Sequence, residues 1–382
     1  MAKHNKEVGN FPPLRFHKNN KEWVRKKIGE ISSISSGGTP SRGKYEFWGG
    51  NIPWITTSLI DFNEIQRAEE YITKEGLNQS SAKLFPKGTI LMAMYGQGKT
   101  RGKVAILGIE ATTNQACAAI KVKQGMDARF LYTYLEKEYD RIRNIANDGG
   151  QQNLSASLIK SYKISLPNLN EQVKISSFLL LIDRRINTQI KIIEELQSQK
   201  NSLSKKLLSC QVRFLEHIEK WKEVKIGDVV KIGSGKDYKH LAEGEVPVFG
   251  TGGYMTSVDS CLYEGETVCI GRKGTIDKPF YYNGKIWTVD TLFFTHSYKS
   301  ILPRFLFYVF EQINWLKFNE ASGVPSLSKS TIEKIAIKIP SVKEQQKITT
   351  TLFAIDQKID LESKHLELLK QQKRYFLQNL FI

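Results

Sequence analysis

Glycine-rich loops that carry arginine, lysine and glutamine are the part of this sequence with the clearest chemistry. Arg and Lys neutralise phosphates or pair with guanine, Gln pairs with adenine, and Gly allows a close backbone approach. Three such loops occur in each half of the chain, so we expect them to contact nucleic acid, the alternative being that they are only soluble hairpin tips. The candidate contact residues are Ser36, Gly37, Thr39, Arg42, Tyr95, Gln97, Lys99, Thr100, Arg101, Gln151, Gln152, Lys236, Tyr238, Lys239, Arg272, Lys273 and Thr275.

The net charge favours a polyanionic partner. The 382 residues include 56 Lys and Arg against 39 Asp and Glu, a formal charge of +17. Two helical segments, residues 168–210 and 341–382, carry only +3 and +2 of it, so +12 lies elsewhere. A surplus of this size predicts nucleic acid as the partner, bound outside the helical segments.

The sequence predicts a binding protein with no catalytic residues and no metal site. Residues 93–100 resemble a phosphate-binding P-loop, but a P-loop continues into a helix, and residues 101–107 predict a turn and a strand. The signatures of amino-methyltransferases, zinc peptidases, serine hydrolases and deaminases do not occur in the sequence. The four cysteines and six histidines show no metal-binding spacing.

The predicted location is the cytoplasm. The first ten residues are polar, and every apolar run is shorter than the roughly 20 residues of a membrane span. The four cysteines also lack the spacing of a disulfide framework, which favours reduced thiols.

The sequence contains an internal two-fold repeat. Residues 14–31 return as residues 212–229 with a shift of 198, and residues 154–186 return as 327–359 with a shift of 173. The ends of the repeat match well and the middles match poorly. This pattern predicts one scaffold that holds two different variable domains, with a pseudo-two-fold symmetry like that of dimeric DNA-binding proteins.

Each repeat closes with a long helix. Apolar residues recur at steps of three, four and seven over residues 175–207 and 348–380, and an unbroken helix from residue 168 to 209 would be about 60 Å long. Asn168 and Ser341 each precede a Glu by three residues, which resembles a capping box. We expect the two helices to pair with each other, the alternative being that each packs on its own domain.

Two sets of residues should govern this pairing. Polar residues interrupt both apolar ladders at equivalent places, which predicts control of helix register. The interruptions are Gln189, Lys200, Glu362 and Lys373, and the expected pairing residues are Ile182, Ile186, Ile193, Leu196, Leu203, Ile355, Ile359, Leu366, Leu369 and Phe376.

The predicted fold class is α+β. The variable middles show short strands separated by polar turns, and a helix follows in each, over residues 128–145 and 303–317. We expect two globular domains, residues 1–167 and 211–340, separated by two long antiparallel coiled-coil helices. Those helices are the spacers of residues 168–210 and 341–382.

The repeated motifs resemble the specificity (S) subunits of type I restriction–modification systems. The resemblance runs from Leu14 to the end of the chain. Its most specific elements are the two helix openings, Glu171-Gln172 with Ile182-Asp183 and Glu344-Gln345 with Ile355-Asp356. One departure concerns the first loop, where residues 236–238 read Lys-Asp-Tyr and residues 38–40 read Gly-Thr-Pro. Loop contacts should therefore not be transferred from one half to the other.

This resemblance implies a non-catalytic subunit with two target recognition domains. Each domain would read one half of a split double-stranded DNA sequence, and the helix pair would set the gap between the halves. Two methyltransferase (M) subunits and two restriction (R) subunits are the implied partners, with S-adenosylmethionine on the former and ATP and Mg²⁺ on the latter. The main alternative is a two-domain sequence-specific DNA-binding regulator; a fused enzyme and a coiled-coil scaffold are further alternatives.

Overall fold

The chain is organised as two compact units. The computed structural model describes residues 10–16, 21–96, 99–145, 153–216 and 219–382. Unit 1 comprises residues 1–189 and 365–382, and unit 2 comprises residues 190–364. Both boundaries between the units lie inside a long helix, so each unit contains a globular part and a segment of each helix. The division into four consecutive parts remains a prediction.

The strands of unit 1 form three sheets. Their orders are β1-β11, β2-β10-β7-β8-β4 and β5-β3-β9-β6. The strands are β1 (Val24–Lys27), β2 (Ser32–Ser36), β3 (Trp48–Ile55), β4 (Glu64–Ile65), β5 (Glu70–Ile72), β6 (Leu84–Phe85), β7 (Ile90–Ala93), β8 (Val104–Leu107), β9 (Ala111–Thr113), β10 (Cys117–Val122) and β11 (Lys163–Leu166).

The helices of unit 1 lie between its strands along the chain and lead into the first long helix. They are α1 (Ile28–Ile31), α2 (Lys74–Asn78), α3 (Ala128–Lys137), α4 (Tyr139–Arg143), α5 (Ala156–Ser161) and α6 (Leu169–Leu208), which continues into unit 2. Residues after the P-loop-like segment form a turn and then strand β8, as the sequence predicted.

Unit 2 repeats this plan with fewer strands. Its sheets have the orders β12-β19 and β13-β18-β16-β17-β14-β15. The elements are β12 (Lys222–Lys225), α7 (Ile226–Val229), β13 (Lys231–Ser234), β14 (Glu243–Gly250), β15 (Gly253–Val258), β16 (Tyr263–Gly271), β17 (Phe280–Thr288), β18 (Leu292–His296), α8 (Pro303–Gln312), α9 (Lys329–Lys334), β19 (Ala336–Ile339) and α10 (Val342–Asn379), which continues into unit 1.

Two predicted helices are shorter than the sequence suggested. The segment 128–145 is interrupted at Glu138, where ψ is 6° and the buried carboxylate accepts a hydrogen bond from Tyr162 and pairs with Lys137. The segment 303–317 ends as a helix at Gln312. There the buried indole of Trp315 donates to the Phe310 carbonyl, 2.9 Å away, and the chain turns into a 3-10 helix.

The two long helices pair antiparallel within each unit. In unit 1 the rings of Phe178 and Phe376 lie 4.8 Å apart and Asp183 contacts Lys373, so rising numbers on α6 meet falling numbers on α10. In unit 2, Lys200 contacts Asp356. The helices also pack on the globular parts, since Ile175 belongs to the core of unit 1 and other helix residues to that of unit 2. Pairing and domain packing therefore occur together, although the sequence analysis treated them as alternatives.

The helix openings do more than cap the helices. Asn168 accepts the Glu171 N–H at 3.0 Å, as a capping box requires, but the Glu171 carboxylate takes two hydrogen bonds from Arg15, at 2.7 and 2.8 Å. Arg213 binds Glu344 in the same way in unit 2, at 3.0 and 2.8 Å. The predicted reciprocal capping box is thus only half formed, because the fully buried glutamate carboxylate serves to hold the opening segment of its unit.

The glutamine after each of these glutamates holds the helix of the globular part. Gln172 accepts the backbone N–H of Asp127, which precedes α3, at 3.0 Å. Gln345 accepts that of Leu302, which precedes α8, at 2.8 Å. Each Glu-Gln pair therefore connects a long helix to two other segments of its unit.

Among the described residues, no helix has the length and apolar character needed to cross a membrane.

Candidate nucleic-acid interface

Described residues in or beside the three predicted loops of unit 1 are joined by hydrogen bonds near the connection between β9 and β10. Thr39 of the first loop donates to the Gln115 side chain, 2.5 Å away. Met94, which precedes the second loop, donates its N–H to the Ala116 carbonyl at 2.9 Å, and Leu154, which follows the third, donates to the Met94 carbonyl at 3.0 Å. The described residues Thr39, Met94 and Leu154 are thus gathered at one end of the five-stranded sheet.

The second loop of unit 1 is partly bound to its own domain. Tyr95 and Lys99 are exposed, and Thr100 and Arg101 are partly buried. The Lys99 carbonyl accepts from the Tyr139 hydroxyl, and the Arg101 guanidinium donates to the Arg143 carbonyl at 2.9 Å. Arg101 therefore helps to hold the loop. The predicted contact residues Gln97, Gln151 and Gln152 lie outside the described residues.

Arg42 already has partners inside the protein. Its guanidinium lies over the rings of Trp48 and Trp54, 3.8 and 4.9 Å from their centroids, and pairs with the Glu70 carboxylate. The hydrogen bonds between them raise the pKa of Arg42 and lower that of Glu70. The half-exposed Arg42 thus orders the first loop, and its charge is already compensated within the protein by Glu70.

The glycine of the Ser-Gly pair has a structural reason in both units. A Cβ atom on Gly37 would lie 2.0 Å from the Thr113 carbonyl oxygen, and one on Gly235 would lie 1.9 Å from that of Val289. The sequence analysis attributed these glycines to close approach of phosphates; the structure shows a second reason for them inside the protein, and the phosphate contact stays a prediction. The space is occupied by the protein's own backbone, while the neighbouring Ser36 side chain is exposed at the end of β2.

The loops of unit 2 meet around the equivalent connection, between β17 and β18. The Arg272 N–H donates to the Thr291 carbonyl at 2.7 Å, and the Lys236 N–H donates to the Thr288 carbonyl at 2.8 Å. Lys273 forms a bridge with Ser326, next to the third loop. Lys236, Lys239, Arg272 and Lys273 are exposed, and Tyr238 and Thr275 are partly buried.

Two clefts lie beside this connection in unit 2. One of about 590 Å³ is lined by Arg272, Lys273 and Lys329 among others. The other, of about 580 Å³, is lined by Tyr238, Lys239, Thr291 and the hairpin between β14 and β15. A cationic pair and an aromatic side chain thus border open space, an arrangement suited to phosphate and base contacts.

The structure adds residues that the sequence analysis missed. Tyr254 and Met255 are 62% and 51% exposed and line the second cleft from the β14–β15 hairpin. Their signal in the sequence was the turn of residues 250–253 followed by two large side chains. In unit 1 the exposed Gln115 lies beside the first loop and accepts the hydrogen bond from Thr39, but nothing in its sequence context distinguished it.

The residues expected to pair the helices are all at least partly covered. Ile182 and Leu369 are buried, and the rest are partly buried: Ile186, Ile193, Leu196, Leu203, Ile355, Ile359, Leu366 and Phe376. Over the described ranges, no cluster of three or more His, Cys, Asp or Glu side chains is arranged to hold a metal ion.

Comparisons with known proteins agree with this arrangement. The family model described as "Type I restriction modification DNA specificity domain" matches residues 20–198 and 218–371, one match for each repeat. The type I restriction enzyme MjaIX specificity subunit of Methanocaldococcus jannaschii is 27% identical over 94% of this chain and 93% of that protein. The EcoR124I/EcoR124II specificity subunit of Escherichia coli is 32% identical over 46% of this chain and 44% of that protein.

A solved structure has the same fold. The type I restriction–modification S subunit from M. genitalium superposes with a TM-score of 0.66 at 21% identity, covering 97% of this chain and 99% of the other.

Proposed function

The chain belongs to the specificity (S) subunits of type I restriction–modification systems, and on this premise we propose that each unit reads one half of a bipartite, gapped sequence in double-stranded DNA. The observation that supports this proposal is the common position of the loops. In both units, described residues in or beside the loops lie at an equivalent connection between strands, β9–β10 in unit 1 and β17–β18 in unit 2, yet the loops carry different side chains. Two surfaces of equal placement and different chemistry suit two half-sites of different sequence.

Unit 2 offers the clearer readout chemistry. Its exposed cations Lys239, Arg272 and Lys273 line two clefts, and Lys236 is exposed on the same loop as Lys239. This supports contacts of these side chains with phosphates or with guanine in the major groove. In unit 1, Arg42 and Arg101 are engaged in internal contacts. Readout there falls to the exposed polar side chains around Gln115, and we expect Gln97, Gln151 and Gln152 of the sequence analysis to contribute to it.

The chain acts in this proposal without catalysis of its own. Two M subunits dock on the helix pair and the adjoining domains and methylate adenine with S-adenosylmethionine. Two R subunits join them and use ATP and Mg²⁺ to translocate and cut DNA. The helix pair sets the number of base pairs between the half-sites, because the two recognition surfaces are attached to its segments.

A single-molecule methylome of cells that express this chain with its neighbouring M subunit tests the proposal. We expect N6-methyladenine at one gapped motif, with both halves specified and the bases between them free. The control is the same M subunit with an unrelated S subunit, which should methylate a different motif. If the control works and this chain directs no gapped methylation, the proposal fails and a two-domain DNA-binding regulator becomes the better reading.

A further inference from the structure

Two lysines inside the helix pair hold equivalent groups of charged side chains. The Lys373 ammonium lies 2.8 Å from Asp183 and 2.6 Å from Glu136, and only 13% of its side chain is exposed. We call these residues the Lys373 triad. The Lys200 triad of unit 2 consists of Lys200, 12% exposed, with Asp356 at 2.8 Å and Glu311 at 3.1 Å.

The two triads are copies of one device. The shift of 173 residues that relates the helix openings also relates Lys200 to Lys373 and Asp183 to Asp356. In each unit the lysine lies on one long helix, the aspartate on the other, and the glutamate on the helix of the globular part, α3 or α8. A single cation therefore joins three elements, and both triads were retained although the middles of the repeats diverged.

The apolar ladder alone leaves the register of the helices poorly determined. Because its residues recur every three, four or seven positions, a slip by one heptad again brings apolar residues into contact. Such a slip would move Lys373 from Asp183 to Ser176 or Ile190, and Lys200 from Asp356 to Thr349 or Ser363. In neither direction would the lysine meet a carboxylate on the other helix.

The carboxylates exclude the same slips more strongly. After a slip of seven residues, Asp183 would face Leu366 or Leu380, and Asp356 would face Ile193 or Leu207. A charge left against apolar side chains loses both its water and its partner, so the slipped pairing is strongly disfavoured. A buried ion group adds little stability compared with apolar side chains of similar volume, but it discriminates between registers.

Both lysines carry their charge at neutral pH. Burial would lower the pKa of Lys373 and of Lys200, but the facing carboxylates outweigh it and raise both values, so both side chains stay protonated. In unit 2 the Tyr308 hydroxyl also donates to Asp356, at 2.6 Å.

We propose that the Lys373 and Lys200 triads are positioning residues that hold α6 and α10 in one register and seat α3 and α8 on them, and that they thereby fix the gap length of the DNA target. This inference rests on the proposed function. It predicts that the triads are needed for a single gap length rather than for recognition of either half-site.

Replacing both triads by apolar residues tests this directly. The six-substitution chain carries Lys373→Met, Asp183→Leu, Glu136→Met, Lys200→Met, Asp356→Leu and Glu311→Met, which removes every charge and leaves none unpaired. The full chain is expressed with its M subunit and its methylome is recorded. We expect the same two half-sites, with methylation at other gap lengths raised at least about tenfold, as a loss of about 1.4 kcal/mol of discrimination would produce.

Two further variants sharpen the test. Reversing the Lys373 triad with Lys373→Glu, Asp183→Lys and Glu136→Lys, in a chain whose Lys200 triad carries the three apolar substitutions, should restore the single gap length that the six-substitution chain loses. The matched control is Lys370→Met with Glu367→Met, an exposed pair 2.8 Å apart on the same helix, which should leave the gap unchanged.

The outcomes separate the two proposals. Absence of any gapped motif with the unmodified chain overturns the proposed function, whatever the triads do. A folded six-substitution chain with one unchanged gap length overturns the role of the triads. If that chain does not assemble with the M subunit, the variants with one apolar triad are used, and failure of both of these to assemble means that the triads only stabilise the fold.

Discussion

The two units share their attachment to the helices and differ in their recognition surfaces. Arg15 with Glu171 and Arg213 with Glu344 make the same paired hydrogen bonds, and each lysine triad has its counterpart. On the recognition side, the Trp54 indole donates to the Gly38 carbonyl and the Trp287 indole to that of Lys236, at equivalent loop positions.

Those two tryptophans come from different strands, β3 and β17. The loop is therefore supported at the same backbone position by unrelated residues. This difference teaches that the scaffold is retained as specific residue pairs, while the recognition side retains only the position of its loops. Each surface is thus free to change its specificity without disturbing the helices.

The largest effect is expected at the last residues of the sequence, which pack in the core of unit 1. Phe381 is 1% exposed and its ring lies 5.3 Å from Phe130 and 5.5 Å from Tyr134. Phe381→Ala should lower the stability of unit 1 by about 3–5 kcal/mol through the cavity it leaves. Hydrogen exchange read by mass spectrometry should show faster exchange in unit 1 and no change in unit 2.

Tyr375→Ala is the control for Phe381, because Tyr375 lies on the same helix but is more than half exposed. It should leave exchange in both units unchanged. Equal acceleration in both units by Phe381→Ala would mean that they unfold together, and the comparison would lose its basis.

A medium effect is expected from the cations of the two surfaces. Arg272→Ala should weaken DNA recognition at the half-site of unit 2 by about 1–3 kcal/mol, because among the described residues its exposed guanidinium has no ion pair that would compensate it as Glu70 compensates Arg42. The guanidinium makes one long hydrogen bond, 3.4 Å to the Asp290 carbonyl, and lies 5.9 Å from the centre of the Phe293 ring. Gln97→Ala should act only on the other half-site. Methylation of a library with single-base changes in each half-site measures both effects.

Arg42→Ala provides the contrast within this library. Arg42 stacks on two tryptophans and pairs with Glu70. We therefore expect the Arg42→Ala substitution to lower the stability of the first loop more than it lowers the affinity for DNA. Lys222→Ala, on the strand pair β12–β19, is the neutral control. Loss at both half-sites from Arg272→Ala would contradict the independence of the two surfaces.

The smallest effect concerns acid. Burial alone would raise the pKa of Glu138, but Lys137 and Tyr162 outweigh it and lower that pKa on folding. In the same way, Arg129 outweighs the burial of Glu64 and lowers its pKa. Their contribution to stability is present above the unfolded pKa of about 4.3 and is lost as the pH falls through the folded value. Between pH 7 and acid, unit 1 should therefore lose more stability than unit 1 of the Glu138→Gln variant, which lacks this carboxylate.

Unit 2 is the reference for the acid experiment. Burial raises the pKa of Glu136 in unit 1 and of Glu311 in unit 2, which favours folding in acid, but it does so in both units alike. Acid titration followed by hydrogen exchange in each unit gives the comparison. An equal loss of stability of unit 1 between pH 7 and acid in the Glu138→Gln variant would remove Glu138 from the explanation.

Sequence reasoning was most successful where a pattern extends over many residues. The heptad ladder predicted a helix over residues 168–209, and α6 runs from Leu169 to Leu208, because a long apolar stripe determines a helix locally. The break at Glu138 was not predictable. It depends on Tyr162, 24 residues away, whose contact with the carboxylate exists only after folding.

For the candidate site, the sequence indicated which loops to consider but not the contacts that their side chains make. The composition of the loops indicated contact residues, but the partners of Arg42 come from β3 and β5, and the carbonyl that crowds Gly37 comes from β9. Such contacts join segments that are far apart in sequence. They decide whether an arginine is available to DNA, and no local pattern reports them.

The distribution of unit 1 over both ends of the chain has a consequence during synthesis on the ribosome. Residues 190–364 are contiguous, so all residues of unit 2 are available once this stretch has left the ribosome. The core of unit 1 around Trp23 and Phe130 is complete only after Leu380 and Phe381 have been made. At about 5–20 residues per second, this delay lasts roughly 10–35 s for the residues between the two parts of unit 1. We therefore expect the nascent chain to complete its second unit first, and chaperones to find their substrate in the first.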